Sequence, residues 1–217
     1  MAGKNLNIAD IRQDYRLSVL DEDVVGDDPV SFFQKWFTDA ENAQITEVNA
    51  MTLATADGNG IPHARIVLLK GLDKDDFVFF TNYDSAKGNE LNANPFAALV
   101  FFWKELERQV RIEGRIEKIA TAESDAYFQS RPAGSRIGAW ASPQSQEITD
   151  RNILDLNYTR YENEFSQIEI PRPPHWGGYK VIPNHIEFWQ GRSSRMHDRI
   201  LFVRNETGAW IRSRLAP

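Results

Sequence analysis

Three basic side chains recur at alternate positions near the end of the chain, and their types suit an anionic or polarisable ligand. Arg195, His197 and Arg199 are each separated by one residue. Alternate side chains of a β-strand share a face, so strand alternation predicts that all three point the same way. Two guanidinium groups and an imidazole are costly to bury on one face without partners. The run therefore predicts a binding site for a polar ligand.

A second pair of cations stands at the two ends of a hydrophobic run. Arg65 and Lys70 are five positions apart, so in a regular strand their side chains leave opposite faces. One pocket could receive both only if the strand bulges or if one contact is made by the main chain. The competing interpretation is that both cations flank a buried strand and extend into water.

A further cation, Lys87, falls in the first turn of a helix predicted over residues 85–93. A helix N-terminus offers unpaired N–H groups and binds anions, whereas a lysine there opposes the helix dipole. A phosphate beside Lys87 would account for this arrangement. The competing interpretation is an ordinary lysine exposed to solvent.

A third candidate anion site combines a helix end with the turn predicted after it. Tyr127 and Arg131 are four residues apart and therefore share a helix face. Pro132 is expected to end the helix, and residues 133–135 are expected to turn the chain. Tyr127, Arg131 and Ser135 could then donate hydrogen bonds to one phosphate. The competing interpretation is a helix end with a basic last turn.

Composition narrows the classes of function. The chain has 217 residues, no cysteine and a formal net charge of −6, which argues against sequence-independent nucleic-acid binding. Without cysteine there is no disulfide or thiolate chemistry, which fits a cytoplasmic protein. Neither a membrane-spanning run nor a signal peptide is found. The sequence also lacks the ligand spacing of a metal site, the Gly-x-Ser-x-Gly elbow of a serine hydrolase and the Gly-x-Gly-x-x-Gly motif of a dinucleotide-binding fold.

The hydrophobic pattern predicts a mainly β fold with peripheral helices. About seven or eight strands in hairpin order favour an antiparallel barrel, with an open α+β sheet as the alternative. Residues 1–27 are predicted to form an N-terminal arm, and residues 28–217 a single domain. Turns are expected at residues 71–73 and 133–135, and the acidic residues 21–23 are expected to interrupt helical structure. Strands are predicted at 50–56, 63–70, 77–81, 96–103, 106–119, 178–190, 195–204 and 209–214, and helices at about 29–40, 85–93, 122–130 and 150–165.

Six stretches of the chain carry a family resemblance that extends from residue 11 to residue 217. They read RIVLLK (65–70), FFTNYDSAKG (79–88), LERQVRIEG (106–114), YFQSRPAGSRIGAWAS (127–142), HWGGY (175–179), and IEFWQG followed by RMHDR (186–199). Together they resemble the pyridoxine/pyridoxamine 5′-phosphate oxidase family. The resemblance implies an antiparallel split β-barrel of the FMN-binding type, in a homodimer with FMN at its interface.

The implied activity is oxidation of pyridoxamine 5′-phosphate and pyridoxine 5′-phosphate to pyridoxal 5′-phosphate. A hydride passes from C4′ to FMN, and O₂ reoxidises the flavin to give H₂O₂. A flavin reductase of the same fold is one alternative, although it would not need the substrate-phosphate residues. Another alternative is a non-catalytic protein that binds FMN or pyridoxal phosphate. The last is a structural or nucleic-acid-binding barrel without a cofactor.

The resemblance implies that Arg195 and His197 are catalytic. Arg195 is expected to align the substrate ring and stabilise charge during hydride transfer, and His197 to form a hydrogen bond with the ring oxygen. Part of the arm is expected to help cover the site. The implied substrate-binding residues are Arg12, Gln13, Asp14, Tyr15, Lys70, Tyr127, Arg131, Ser135, Arg195, Met196 and His197, with the phosphate at Lys70, Tyr127, Arg131 and Ser135.

An FMN site is implied as well, with two departures from the family pattern. Ala86 stands where the family usually has arginine, so one phosphate donor is missing or replaced. Phe80 replaces a common tyrosine, which a main-chain contact would tolerate. The implied FMN-binding residues are Arg65, Ile66, Val67, Leu68, Leu69, Lys70, Phe80, Thr81, Lys87, Gln109, Gln144, Ser145, Trp189 and Arg199.

Overall fold

The computed structural model describes Ile8, Ile11 and residues 13–217, except for the side chain of Asp73. The chain divides into two units. Unit 1 comprises Met1–Val48, Phe102–Val110 and Ile186–Pro217, and unit 2 comprises Asn49–Phe101 and Arg111–His185. The predicted organisation, an arm of residues 1–27 and one domain of residues 28–217, stays a prediction.

Unit 2 is built on an antiparallel sheet with four helices. Along the sheet the strand order is β2-β1-β5-β6-β7-β4-β3. β1 pairs antiparallel with β2 and β5, and β4 pairs antiparallel with β3 and β7. The strands are β1 (Ala50–Ala56), β2 (Pro62–Leu68), β3 (Gly71–Asp73), β4 (Asp76–Asn82), β5 (Phe96–Trp103), β6 (Arg108–Lys118) and β7 (Trp176–Gln190), and the helices are α3 (Ala86–Ala93), α4 (Thr121–Ser130), α5 (Ala133–Ala141) and α6 (Asn152–Glu164). One end of each of β5, β6 and β7 belongs to unit 1.

Local chemistry explains the first hairpin of unit 2. Asp57 Oδ1 accepts hydrogen bonds from the backbone N–H groups of Asn59 and Ile61, at 2.9 Å each. Gly60 adopts φ +82°, which a residue with a side chain rarely does. These contacts form the turn between β1 and β2, which lies between the strands predicted at 50–56 and 63–70.

Unit 1 contains two helices and the final strand pair. Asp28 caps α2 by accepting a hydrogen bond from Val30 N at 3.0 Å, and Pro29 occupies the first helical position, where the predicted helix begins. Aromatic side chains fill the core, where Trp36 and Phe188 meet edge to face at 5.3 Å. β8 pairs with β7 and antiparallel with β9. The elements are α1 (Glu22–Val25), α2 (Pro29–Asn42), β8 (Asp198–Arg204) and β9 (Trp210–Leu215).

The strand predicted over residues 195–204 begins three residues late. Ser193–Arg195 form a short 3₁₀ turn, and both Ser194 and Arg195 have positive φ, of 56° and 61°. Strand alternation therefore does not extend back from β8 to Arg195. The predicted common face of Arg195, His197 and Arg199 is wrong.

Three expected interruptions are regular structure instead. Residues 133–135, predicted to turn the chain, form the first turn of α5, with Pro132 as its N-cap. Residues 71–73 form β3, and the turn follows at Lys74, which has φ 56°. The acidic segment contributes Glu22 and Asp23 to the first turn of α1, where carboxylates favour helix formation.

The sheet with inserted helices confirms the predicted mainly β fold class. Nine strands are found among the described residues, because β3 adds to the number predicted. None of the helices in the described ranges is long and apolar enough to cross a membrane.

Candidate active site

A cavity of about 570 Å³ in unit 2 gathers four cations from three parts of the sequence. Arg65, Lys70, Lys87 and Arg131 all line it, and none of its described lining residues is a carboxylate. We call it the unit 2 cavity. Its volume lies in the range of small-molecule sites, and its charge favours an anion.

Arg65 and Lys70 reach the same cavity because the strand between them ends early. β2 stops at Leu68, Leu69 N donates to Asn49 O at 2.9 Å, and Lys70 N donates to Val78 O at 2.8 Å. The alternation on which opposite faces depend is therefore broken before Lys70. The regular strand from Arg65 to Lys70, on which the two side chains would leave opposite faces, is therefore not formed.

A buried carboxylate holds Arg65 in place. Arg65 Nη2 donates to Glu90 Oε2 at 2.8 Å, and Thr55 Oγ1 bonds both the guanidinium and the carboxylate. Glu90 is only 8% exposed. Burial raises the pKa of Glu90, but the hydrogen bonds from Thr55 and Arg65 outweigh it, so the pKa lies below its ordinary value. Glu90 therefore remains charged and fixes the guanidinium at the cavity wall.

Lys87 enters the cavity from the first turn of α3. Ser85 caps this helix, and Lys87 Nζ donates to Ser85 Oγ at 3.3 Å and to Gln144 Oε1 at 3.1 Å. Burial lowers the pKa of Lys87, and the charge of Arg65 lowers it further. The neighbouring Ala86 offers a methyl group and no donor. Lys87 is thus the cation that this helix end presents to an anion.

Flat aromatic rings form another wall of the unit 2 cavity. Phe80 stacks on Tyr127 with ring centroids 3.8 Å apart and an interplanar angle of 19°. Phe80 also stacks on Trp176 at 5.4 Å, and the Arg131 guanidinium lies 4.6 Å from the Trp176 ring centroid. The cation–π contact holds Arg131 against the wall.

Arg131 has a buried donor that nothing in the described chain satisfies. Its Nη1 is buried and has no hydrogen-bond partner. Burial lowers the pKa of Arg131. Leaving a buried guanidinium N–H unpaired costs about 1–3 kcal/mol, which an anionic ligand would recover. Tyr127 in the last turn of α4 and Ser135 in the first turn of α5 line the same cavity, as the sequence predicted.

A second cavity, of about 520 Å³, lies in unit 1. Gln13, Asp14 and Tyr15 of the arm line it together with Arg195 and His197. We call it the unit 1 cavity. Within the described chain Arg195 makes no ion pair, so its charge is free to meet a ligand. The predicted residue Arg12 lies outside the described residues, and Met196 is exposed and does not line the cavity.

Tyr15 packs the arm onto the loop that carries His197. Its ring meets Trp189 edge to face at 5.8 Å and lies 6.1 Å from the His197 ring. A Cβ added to Gly191 would approach the Tyr15 ring to 2.7 Å. Glycine is therefore required at position 191 for this packing.

His197 is held through one ring nitrogen. Arg192 N donates to His197 Nδ1 at 3.0 Å, and the Trp189 ring centroid is 4.6 Å from that of His197. Burial lowers the pKa of His197, the charge of Arg195 lowers it further, and Asp198 opposes both effects. The imidazole is therefore biased toward its neutral form.

Arg199 has an internal partner. Its Nε and Nη2 donate to the two carboxylate oxygens of the buried Glu187 at 2.8 and 3.1 Å, and Nη1 donates to Ala216 O at 3.0 Å. This bidentate pair raises the pKa of Arg199. Arg199 lines neither cavity.

The other predicted FMN residues separate into two groups. Ile66, Val67, Leu68, Thr81 and Gln144 line the unit 2 cavity. Five do not line either cavity: Leu69, Gln109, Ser145, Trp189 and Arg199.

Sequence reasoning missed several residues that build the sites. Glu90 and Thr55 fix Arg65, Trp176 supports Arg131, and Asp198 and Arg192 hold the His197 loop. A signal existed for Glu90, which lies three positions after Lys87 on the same predicted helix and so shares its face. Thr55 gave no comparable signal, because its contact with Glu90 joins a strand to a helix 35 residues away.

Comparisons with known proteins point in one direction. The family model described as pyridoxamine 5′-phosphate oxidase matches residues 37–164, and the model of the pyridoxine 5′-phosphate oxidase C-terminal dimerisation region matches residues 176–217. The chain is 55% identical over 210 residues to pyridoxine/pyridoxamine 5′-phosphate oxidase of Cupriavidus metallidurans, covering 97% of this chain and 99% of that protein. It is 56% identical over 212 residues to the protein of the same name from Synechocystis sp., covering 98% and 99%.

Solved structures agree on the fold. PhzG from Burkholderia lata 383, in complex with tetrahydrophenazine-1-carboxylic acid, superposes with a TM-score of 0.86 at 28% identity, covering 93% of this chain and 99% of that one. A pyridoxamine 5′-phosphate oxidase-related, FMN binding protein from Nostoc punctiforme has a TM-score of 0.69 at 18% identity, covering 88% and 98%. The first likeness, with the family match, confirms the predicted antiparallel split β-barrel fold class.

Proposed function

Because the chain belongs to the pyridoxamine 5′-phosphate oxidase family, we propose that it oxidises pyridoxamine 5′-phosphate and pyridoxine 5′-phosphate to pyridoxal 5′-phosphate. We assign FMN as its cofactor and O₂ as the final oxidant. FMN, when bound, would supply the redox chemistry: it would take up the hydride from C4′ and pass the electrons to O₂, with release of H₂O₂. The match to the family's dimerisation region supports a homodimer, and we propose that FMN lies at its interface.

The observation that carries the proposal is the unsatisfied guanidinium of the unit 2 cavity. Arg131 lines a cavity whose described lining residues include four cations and no carboxylate, and its buried Nη1 has no partner among the described residues. A phosphate accepts hydrogen bonds through several oxygens and would satisfy this donor. We assign the substrate phosphate to Arg131, with Lys70, Tyr127 and Ser135 as the further donors.

The remaining groups of the unit 2 cavity fit FMN. Arg65 is fixed by Glu90, and Lys87 stands in the first turn of α3 beside Gln144. Both cations suit a phosphate, and Thr81 and Gln144 offer neutral hydrogen bonds. Lys87 supports the assignment although Ala86 contributes no donor. Roles in FMN binding for Leu69, Gln109, Ser145, Trp189 and Arg199 remain proposals that rest on the family resemblance.

In the proposed reaction Arg195 and His197 act on the pyridine ring. Arg195 is exposed in the unit 1 cavity without an ion pair among the described residues, so its charge can orient a ring and stabilise developing negative charge. His197 contributes a hydrogen bond to the ring oxygen. Gln13, Asp14 and Tyr15 of the arm line the same cavity and would restrict access of water.

The test begins with the colour of the purified protein. We expect a flavin spectrum, bleaching of that spectrum when pyridoxamine 5′-phosphate is added without oxygen, and pyridoxal 5′-phosphate with H₂O₂ once air is admitted. Protein that takes up no FMN contradicts the cofactor assignment. Bleaching by a reduced nicotinamide but not by pyridoxamine 5′-phosphate would identify a flavin reductase, and FMN that neither donor bleaches would identify a binding protein.

A further inference from the structure

The loop between β7 and β8 determines which nitrogen of His197 can meet a ligand. Arg192 N lies 3.0 Å from His197 Nδ1. A backbone N–H only donates, so Nδ1 must carry a lone pair. A neutral ring in that state has its proton on Nε2, and Nε2–H is a hydrogen-bond donor.

Packing keeps the His197 ring in this orientation. The ring lies between Trp189 at 4.6 Å and Tyr15 at 6.1 Å, centroid to centroid. Turning the ring over would place a carbon-bound hydrogen against the N–H of Arg192 and lose the hydrogen bond. His197 also lines the unit 1 cavity, so the nitrogen not bonded to Arg192 is the one available to a ligand.

Asp198 holds the side chain of Arg192, whose backbone N–H holds His197. Its Oδ2 accepts hydrogen bonds from Arg192 Nη1 at 2.9 Å and from Leu20 N at 3.1 Å, and its Oδ1 accepts one from Arg214 Nη1 at 3.0 Å. The Asp198 side chain is 16% exposed. Arg192 is therefore held at both its side chain and its backbone, and the loop is closed twice within seven residues.

We propose that Asp198 is a positioning residue that acts through Arg192 to present His197 as a neutral Nε2–H donor. The group that this donor recognises is a hydrogen-bond acceptor, such as the ring oxygen of a deprotonated 3-hydroxypyridine. His197 accordingly does not take a proton from the substrate. This inference rests on the proposed function, since it assigns the polarity of one contact in the same reaction.

The tautomer can be measured without turnover. In long-range ¹⁵N–¹H correlation spectra of the full-length chain, His197 is identified by the signals lost in His197→Gln. We expect a pyridine-type shift for Nδ1 and a pyrrole-type shift for Nε2. A protonated Nδ1 in the wild-type protein would overturn the inference.

Two substitutions of His197 separate the roles of its nitrogens. Glutamine places an amide nitrogen near the position of Nε2, whereas asparagine reaches only the position of Nδ1. The KM for pyridoxamine 5′-phosphate should rise no more than about threefold in His197→Gln and about tenfold in His197→Asn, the usual effect of one lost hydrogen bond. The opposite order would show that Nδ1 faces the substrate and would overturn the inference.

Asp198→Asn tests the positioning role directly. It should give mixed Nδ1–H and Nε2–H signals for His197 and raise KM about fivefold, with a smaller change in kcat. Glu22→Gln is the matched control, because Glu22 binds Arg214 at 2.6 Å without contacting Arg192 or His197. It should leave the His197 spectrum and KM unchanged. An unaltered His197 spectrum in Asp198→Asn would refute the positioning role.

The two proposals fail in different ways. If the proposed function is wrong, the wild-type protein does not turn over pyridoxamine 5′-phosphate. If only this inference is wrong, the enzyme is active while one of three results is found: His197 carries its proton on Nδ1, the order of the two His197 variants is reversed, or Asp198→Asn leaves the His197 spectrum unaltered.

Discussion

The two cavities are built by different means. In the unit 2 cavity, the cations come from the middle of β2, from the chain just after it and from two helix ends, and Arg65 is held by the buried Glu90 at 2.8 Å. The unit 1 cavity is formed by the arm and by a loop in which Ser194 and Arg195 have positive φ. The first is a preformed receptor for charge, and the second depends on the arm and the loop holding each other in place. Disturbing them should therefore have different consequences.

The largest effect is expected from Arg131, which lines the unit 2 cavity and has a buried donor without a partner among the described residues. Arg131→Ala should raise the KM for pyridoxamine 5′-phosphate about 100-fold, because a charge-assisted contact to a phosphate contributes about 1.5–3 kcal/mol. Steady-state kinetics measure this effect. Arg131→Lys retains the charge but not the planar guanidinium, so its KM should lie between those of the wild type and Arg131→Ala. An unchanged KM in Arg131→Ala would place the phosphate elsewhere.

Glu90 tests whether the rigidity of the unit 2 cavity serves the cofactor. Glu90→Gln loosens Arg65 and should weaken FMN binding about tenfold, measured by quenching of flavin fluorescence, because a charged hydrogen bond becomes a neutral one. Ser166→Ala is a control substitution, since Ser166 Oγ donates only to the nearby Asn163 O. Equal FMN affinities of Glu90→Gln and the wild-type protein would exclude this role.

Glu90 should also affect stability in acid. Its pKa in the folded protein is below the ordinary value, so its contribution to the free energy of unfolding is present above the ordinary pKa and is lost as pH falls through the folded pKa. Urea titrations across this acid range should therefore show the wild type and Glu90→Gln converging as pH falls. A constant difference at every pH would contradict the ionised buried pair.

Gly191 tests the mutual support of arm and loop in unit 1. Gly191→Ala places a Cβ 2.7 Å from the Tyr15 ring, so Tyr15 must move. We expect a loss of about 1–3 kcal/mol in the free energy of unfolding and a several-fold rise in KM. Thermal unfolding and kinetics measure both effects. A variant with wild-type stability and KM would show that the packing of Tyr15 is unimportant.

The smallest effect, of opposite sign, is expected at Gly138. It lies in α5, and a Cβ there would meet nothing within 4 Å. Gly138→Ala should stabilise the protein by about 0.5–1 kcal/mol, because alanine loses less conformational freedom in a helix. It is the matched control for Gly191→Ala. If Gly138→Ala destabilised the protein, the alanine methyl group would have to clash with a group that the structure places more than 4 Å away.

The difference between the cavities also explains what the sequence could predict. Periodicity located α3 and β4 to within a residue, and these elements deliver Lys87 and Thr81 to the unit 2 cavity. The direction of the Lys70 side chain could not be predicted, because side-chain alternation applies only within a strand and β2 ends at Leu68. The bonds that redirect the chain there, to Asn49 and Val78, are made by backbone groups that carry no sequence signal.

The loop of unit 1 could not be derived from residue type. Positive φ is typical of glycine, yet Ser194 and Arg195 adopt it here. The helix α5 was missed for a related reason, since Pro132 and Gly134 are typical of turns. A proline just before the first turn of a helix sacrifices no N–H that the helix needs. In the loop, Ser194 N donates to Asp14 Oδ1 at 3.3 Å, a contact with the arm that residue type does not predict.

The hydrogen bonds of Asp198 and Arg214 have a consequence for the order of folding. Leu20 is 178 positions from Asp198 and 194 from Arg214, to which it is hydrogen-bonded. During synthesis Leu20 can therefore form these bonds only after Asp198 and Arg214 have been made. Such non-local closure is slow compared with local pairing. The unit 1 cavity should thus mature only once residues 198–214 are free to fold, well after the β1–β2 hairpin has formed.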